Sequence, residues 1–450
     1  MRITPREKRI RPLLIAMIAA VGGLLFGYDT SVISGAILFV RQHFQLTTMQ
    51  TEVAVSIVLA GALVGAAVGG YLGDRYGRRT MQILNAIIFG VFAVVTGLAN
   101  SLPLFLVARF FVGFAVGITS MITPLYIAEI SPAHIRGALV TLNQMAISVG
   151  IAVAYYVAYL FAASGNWRAM FISAVAPSFI LLIALIFLPE SPRWLAAQGR
   201  FDAAREVLAR VLEKKEAERT YEELVQIVHA DRLVFRDLFV RRFRKPLAIG
   251  IGLAIFQQLT GVNTIVYYTP IIMQKAGFKT ASSAILATVL IGSLIVVFNV
   301  VALFLLDRVG RRPLLLASIS AMGLTLLHLG YSFGTTEVSR VIVLLDFLAY
   351  LAAFCLGLGP VFWLLISEIY PTTIRAQAMS VASSVIWAGD LLVTITFLSL
   401  MEALGARDSF WLYGALCGLA LLFALHMVPE TKDRTLEQIE ASWSTLPRDR

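Results

Sequence analysis

The sequence predicts an all-α membrane protein: twelve transmembrane helices in two six-helix bundles related by pseudo-two-fold symmetry, with a short cytoplasmic helical linker between them. Three observations predict it. Of the 450 residues, 58% are hydrophobic and 14% charged, with a mean hydropathy of +0.81. A water-soluble domain cannot hide that much apolar side chain and keep a wettable exterior. The apolar residues also fall in runs of roughly 20, enough to cross about 30 Å of hydrocarbon at 1.5 Å per helical residue. Finally, short charged motifs recur in the same order in the two halves of the chain.

In chain order the runs cover 12–37, 52–72, 81–99, 103–126, 138–162, 167–188, 246–273, 283–306, 313–333, 341–366, 376–402 and 409–428. Arg2, Arg6, Lys8, Arg9 and Arg11 precede the first run and mimic a secretion signal. The run continues to about Ile37, so it reads as an uncleaved first span. One long polar stretch, Glu190 to Lys245, separates spans six and seven. Its charges and its helix-forming segment 201–219 predict a helical linker in water. The expected division is a first bundle over 1–189, the linker over 190–245, and a second bundle with a short tail over 246–450.

Orientation follows from the basic residues, which favour the cytoplasmic face. With the N-terminus inside, the inner loops hold Arg75, Arg78, Arg79, His134, Arg136, the linker, Arg308, Arg311, Arg312, Arg375, Lys432 and Arg434. The outer loops hold only Arg41, Arg168, Lys275, Lys279, Arg340 and Arg407. Both termini are therefore expected in the cytoplasm, with the chain in the cell (inner) membrane. A net charge of +10 would suggest nucleic acid in a soluble protein; here it reflects that topology. Cys355 and Cys417 lie inside apolar spans and form no metal or disulfide pattern. No P-loop, metal cluster or nucleophile triad is present, so neither a cofactor nor an enzyme is expected.

The repeat is specific. Asp74-Arg75-Tyr76-Gly77-Arg78-Arg79 returns as Asp307-Arg308-Val309-Gly310-Arg311-Arg312, Glu129 and Arg136 as Glu368 and Arg375, and Pro189-Glu190-Ser191 as Pro429-Glu430-Thr431. Three matches at nearly one offset indicate two parallel six-helix repeats with a substrate path between them. Gly61, Gly65 and Gly69, at four-residue spacing, mark a close helix–helix approach in span two.

These motifs, with Gly27-Tyr28-Asp29, Pro124-Leu125-Tyr126-Ile127-Ala128-Glu129, Arg136-Gly137, Pro189-Glu190-Ser191-Pro192-Arg193-Trp194, Gln257-Gln258-Leu259-Thr260-Gly261-Val262-Asn263 and Gly359-Pro360-Val361-Phe362-Trp363, resemble the sugar porters of the major facilitator superfamily. The resemblance covers nearly the whole chain. It implies that Asp74, Arg78, Glu129, Arg136 and Glu190, with Asp307, Arg311, Glu368, Arg375 and Glu430, form charge networks that close the cytoplasmic side and open in turn. The alternative is that these charges only set topology.

Asp29 is the most informative single residue, because a carboxylate within a span is costly unless it is paired or functional. Arg109 lies about 9 Å below the outer end of span four and Asp29 about 12 Å below that of span one, so the two are expected to pair. Parting the pair would favour protonation and couple proton uptake to movement. Proton-coupled members of the resembled family have Asp here, whereas passive members commonly have Asn. A static ion pair is the alternative.

The resemblance implies substrate contacts from Gln144, Gln257, Gln258 and Asn263, with Trp363 and Trp387 as aromatic walls and Tyr267 and Tyr268 as an outer gate. Gly261 suggests a loosened helix between Gln258 and Asn263. For each amide the alternative is an interhelical hydrogen bond, and for each tryptophan a packing or lipid contact. Two positions depart from the family pattern. An apolar neighbourhood around Ile295 replaces an asparagine that the family commonly has about one turn before Asn299, and Asp390 replaces an asparagine after Trp387. Asp390 leaves several roles open: acceptor for two sugar hydroxyls, second proton site, selector of a cationic or unusual polyol substrate, or structural acid. Cys355 stands where some members have a polar or acidic residue.

The expectation is proton-coupled symport of a hexose or pentose by alternating access, with each monomer holding a complete pathway. The alternatives are a passive sugar facilitator, a polyol or inositol symporter, and, from another class, a transporter-like sugar receptor.

Overall fold

The computed structural model describes residues 12–132, 135–228, 240, 243–335, 338–371, 374–432, 434 and 438, the side chains of 307 and 376 excepted. Eighteen helices account for nearly all of them. In order they are α1 (Pro12–Phe44), α2 (Thr48–Tyr76), α3 (Arg78–Leu98), α4 (Leu102–Ile130), α5 (Arg136–Ala162), α6 (Trp167–Ile172), α7 (Val175–Ile186), α8 (Pro192–Ala197), α9 (Phe201–Val211), α10 (Lys214–Val228), α11 (Arg244–Leu259), α12 (Val262–Lys275), α13 (Ala281–Val309), α14 (Arg311–Phe333), α15 (Arg340–Leu356), α16 (Leu358–Ile369), α17 (Arg375–Ala403) and α18 (Gly405–Met427). Among the described residues, twelve segments are long and apolar enough to cross a membrane, counting α6–α7, α11–α12 and α15–α16 as one crossing each. They coincide with the twelve runs read from the sequence.

Local chemistry explains the ends and the breaks. Pro103 sits in the first turn of α4, where its missing N–H costs nothing. Thr280 and Ser283 form a reciprocal capping box at the start of α13. The expected loosening of span seven is a full break: Gly261, at φ +86°, separates α11 from α12. The ring of Tyr413 packs where a Cβ on this glycine would lie. Span ten also breaks, at Gly357, a glycine with no distinguishing pattern around it.

By internal packing the chain divides into two compact units. The first comprises 1–30, 61–151 and 168–232; the second comprises 31–60, 152–167 and 233–450. The boundaries differ from the repeat-based division because the segments 31–60 and 152–167 of α1, α2 and α5 pack with the helices of the second half.

In the first unit α2 and α4 touch backbone to backbone. A Cβ on Gly61 would lie 2.0 Å from the Phe110 carbonyl oxygen, and one on Gly65 2.1 Å from that of Phe114. This is the close approach expected from the glycine spacing. Met81, Ile118 and Ile122 form a buried cluster flanked by Leu72 and Phe114. The amphipathic helices α8–α10 of the linker belong to this unit, and α8 docks through Trp194, whose Nε1 donates to the Asp74 carbonyl at 2.8 Å.

In the second unit α14 packs along α15 and α18, and α11 along α17. Tyr155 of α5 donates to the Val266 carbonyl of α12 at 2.8 Å, and Tyr350 of α15 donates to the Thr260 carbonyl at 2.8 Å. The second bond holds the Gly261 break open by satisfying a carbonyl freed from the helix ladder.

Candidate functional site

In the first unit Asp29 of α1 and Arg109 of α4 form the ion pair predicted from their depths. Arg109 Nη1 donates to Asp29 Oδ1, with Asp29 3% and Arg109 0% exposed. The guanidinium lies over the Phe171 ring, 5.3 Å from its centroid, a cation–π contact that partly replaces lost hydration. Tyr28, the residue before Asp29, is fixed by donating to the Met170 carbonyl at 2.9 Å, which sets the rotation of α1. The pair is only half satisfied. Asp29 Oδ2 and Arg109 Nε and Nη2 are buried without a protein partner. A buried charge pair with open hydrogen-bonding positions is poised to rearrange, because each unpaired group is expensive in a low-dielectric interior.

The second unit gathers three of the residues named for substrate contact into one hydrogen-bonded chain across the Gly261 break, with two more beside it. Gln257 Nε2 donates to the Leu358 carbonyl at 3.4 Å, Gln258 Nε2 to Gln257 Oε1 at 3.4 Å, and Asn263 Nδ2 to Gln258 Oε1 at 2.8 Å. Beside it, Asp390 Oδ2 accepts from the Tyr267 hydroxyl and Oδ1 from the Thr394 hydroxyl, both at 3.1 Å. Gln258 packs on Gly389, the residue before Asp390. Trp387, one turn earlier on α17, is 5% exposed. Tyr268 is buried; it donates to the Thr394 carbonyl at 2.8 Å and stacks on Phe397 at 5.4 Å. The broken helix turns amides and hydroxyls toward one another with donors and acceptors alternating, the pattern that recognises polyhydroxylated ligands.

Two further named residues are not members of this hydrogen-bonded chain. Trp363 of α16 is 40% exposed and packs edge-on against Phe362. Gln144 lies on α5 in the first unit and is exposed. At the departures from the family pattern, Asn299 donates to the Ile295 carbonyl at 2.9 Å and approaches Cys355 Sγ at 3.8 Å.

The duplicated loop motifs build duplicated charge nodes, one per unit. In the first, Arg78 Nε meets Glu129 Oε2 at 3.0 Å and Nη2 meets Asp74 Oδ1 at 2.9 Å. Glu190 accepts from the backbone N–H groups of Arg78 and Arg79 at 2.9 and 3.0 Å, so it caps the N-terminus of α3. In the second, Arg311 Nη2 meets Glu368 Oε1 at 3.1 Å, and Glu430 caps α14 through the N–H groups of Arg311 and Arg312 at 3.2 and 3.1 Å. Burial works against the charged form of Glu430, but backbone N–H donors from Lys432, Arg311, Arg312 and Thr431 outweigh it and hold its carboxyl below the ordinary glutamate range. The glycine before each helix is obligatory. Gly77 (φ +95°, ψ 155°) and Gly310 (φ +105°, ψ 162°) occupy a region open essentially to glycine alone. A Cβ on Gly77 would lie 2.4 Å from Glu190 Oε2. Arg136 is exposed and outside its node; Arg375 Nε donates to the Tyr370 carbonyl at 3.2 Å. The Asp307 side chain lies outside the described residues.

One acid escaped the sequence reading. Glu52 of α2 is 1% exposed and accepts from the Ser399 backbone N–H at 2.7 Å and the Ser399 hydroxyl at 2.5 Å. The signal was a lone acid beginning an apolar run, which reads equally well as a solvated span boundary.

Comparison with known proteins agrees with this architecture. The pattern of the family described as "Sugar (and other) transporter" matches residues 15–443. The probable metabolite transport protein CsbC of Bacillus subtilis is 38% identical, over 97% of this chain and 95% of the relative. The D-xylose transporter of Levilactobacillus brevis is 37% identical, over 97% and 96%. The solved structure of the proton:xylose symporter XylE of Escherichia coli, bound to 6-bromo-6-deoxy-D-glucose, superimposes with a TM-score of 0.81 at 34% identity, covering 96% of this chain and 99% of that one. With twelve apolar crossings, a duplicated charge motif at matching helix ends and a family match over nearly its whole length, this multi-pass membrane protein belongs to the sugar-transporter family of the major facilitator superfamily.

Proposed function

We propose that the chain is a proton-coupled monosaccharide symporter working by alternating access. The observation that carries this reading is the buried, half-satisfied Asp29–Arg109 pair in the interior of the first unit. A family relative is named an arabinose-proton symporter and another a galactose-proton symporter, which supports the same chemistry. Asp29 carries the proton. While it faces Arg109 the carboxylate is neutralised by the guanidinium. When the carrier rearranges and the pair parts, protonation neutralises it instead, so the empty unprotonated carrier and the loaded protonated one follow different energetic paths.

The sugar is a hexose or pentose bound by Gln257, Gln258, Asn263, Asp390 and Trp387, with Gln144 and Trp363 as further contacts and Tyr267 and Tyr268 controlling outer access. Sugar hydroxyls would replace the amide–amide bonds, which are preformed at little entropic cost. The nodes around Arg78 and Arg311, with Arg136, Asp307 and Arg375 as supporting charges, hold the loops between helices during the change. The repeat-based division at 1–189, 190–245 and 246–450 describes the moving bodies. The chain sits in the cell membrane with both termini in the cytoplasm, functions as a monomer and is a transporter rather than an enzyme.

The test is uptake of a panel of labelled monosaccharides into proteoliposomes under an inward proton gradient, with and without a protonophore. Uphill accumulation that the protonophore abolishes supports symport. Equilibration that is indifferent to the gradient makes the protein a facilitator with a structural Asp29–Arg109 pair.

A further inference from the structure

The first unit holds a small cavity, apolar over most of its wall but with a cluster of buried polar side chains, that neither the substrate chain nor the charge nodes use. It lies among α1, α3, α4 and α7 and is lined by Gly22, Gln82, Asn85, Thr119 and Thr123, with Phe89 and Leu181 on its apolar side. Gln82, Asn85 and Thr123 are 2%, 3% and 1% exposed. Both side-chain polar atoms of Gln82, both of Asn85 and the Thr123 hydroxyl have no protein partner. A Cβ on Gly22 would lie 2.9 Å from Thr123 Oγ1, so glycine there lets the hydroxyl face the cavity. Buried amides and hydroxyls are nearly always satisfied by protein or ordered water. The cavity offers about 10 Å³ to the centre of a water molecule, close to what one ordered water needs, and water binds best with two to four polar partners. The donors and acceptors are neutral and mixed, which suits a hydrogen-bonded water.

Its position gives the site a use. Gly22 and Asp29 are seven residues apart on α1, and Arg109, Val116 and Thr123 are spaced by sevens on α4. Seven residues bring an α-helix back to nearly the same face two turns on. The ion pair and the cavity therefore lie on one seam between α1 and α4. Beyond the cavity in the direction away from the ion pair, Glu129 on α4 and Arg78 on α3 belong to the charge node, where Asp74 is 61% exposed on its side chain. The order is ion pair, cavity, node.

We propose that Gln82, Asn85 and Thr123 bind structured water, and that this water is the stepping site through which the proton leaving Asp29 reaches the node end of the first unit. The proton on the Asp29 carboxyl passes to water beside the pair, where Asp29 Oδ2 and Arg109 Nε and Nη2 have open positions. A hydrogen-bonded water at the cavity accepts it and releases another toward the node. The carboxylate is regenerated, and the amides and hydroxyl only orient the water. This inference rests on the symport reading, and its test separates the two.

X-ray hydroxyl-radical footprinting of the whole protein in proteoliposomes generates radicals from bound water. Phe89 and Leu181, both 3% exposed, are expected to be oxidised severalfold faster than equally buried residues elsewhere, and Asn85→Leu is expected to abolish the excess. Background labelling of both overturns the water site. In parallel, gradient-driven accumulation is expected to fall at least fivefold in Asn85→Leu and in the isosteric Thr123→Val. Sugar counterflow, in which no proton has to leave between turnovers, should keep its wild-type rate. Unchanged accumulation overturns the stepping role, as does an equal fall in both modes, which marks a purely structural cluster. A wild type that never accumulates sugar uphill sinks the symport reading, while the footprinting still decides the water site.

Discussion

Replacing Arg109 with leucine removes the guanidinium facing Asp29 at a place with almost no access to water; the two side chains are 0% and 5% exposed. Breaking a buried ion pair from one side leaves the other charge uncompensated and costs about 3–5 kcal/mol. Asp29→Asn does the same in reverse, stranding Arg109 over Phe171. Removing both charges together is close to neutral, because a buried pair repays little more than its own desolvation. The two single variants should therefore each lose about 3–5 kcal/mol, and the double variant should recover most of it, a coupling of at least about 3 kcal/mol. The assay is a double-mutant cycle on purified protein in mixed micelles, with unfolding followed by tryptophan fluorescence. Additive losses would show that the two side chains do not sense each other's charge and would refute the pair as the poised element.

Other outcomes follow from the node and substrate geometry. Gly77→Ala forces a side chain into a glycine-only backbone region, at a cost of about 1–3 kcal/mol, and pushes Glu190 off the N-terminus of α3; a lower thermal midpoint than that of Gly137→Ala, whose Cβ would meet nothing within 4 Å, checks it. Because the Glu430 carboxyl is held below its ordinary value of 4.5, its stabilising contribution is fully present above that pH and disappears as pH falls through the lower folded value; the stability gap between wild type and Glu430→Gln should close with acidification below 4.5 and stay constant above it. Tyr267→Phe removes a donor to Asp390; a hydrogen bond of this kind contributes about 0.5–1.5 kcal/mol, so the apparent KM for the transported sugar should rise severalfold, whereas an unchanged KM would place Asp390 outside the binding site.

Much of this was legible in the sequence because membrane spans are written in long runs. The crossings follow from run length, and the Asp29–Arg109 pair from counting 1.5 Å per residue inward from two span ends. The repeated Asp-Arg-x-Gly-Arg-Arg loops anticipated two equivalent nodes, and Gly261 anticipated the break in span seven. What the loops did not disclose is how the nodes work. Glu190 caps a helix that begins 112 residues before it, a contact no local pattern encodes. Arg136 shares the motif but not the node, since motif membership does not fix where a long side chain points. Gln82, Asn85 and Glu52 were silent for a related reason. A single polar residue in an apolar run has no period, and only the packing around it decides whether it meets lipid, a partner or water.

In the symport cycle proposed above, Asp29 couples proton movement to sugar movement. The most direct measurement compares wild type with Asp29→Asn in proteoliposomes under an inward gradient of about one pH unit, following a sugar that the wild type transports. With one proton per sugar, such a gradient supports about tenfold accumulation. The wild type is expected to approach this ratio, while Asp29→Asn still exchanges sugar but stops at equal concentrations. Uphill accumulation by Asp29→Asn equal to that of the wild type would contradict it.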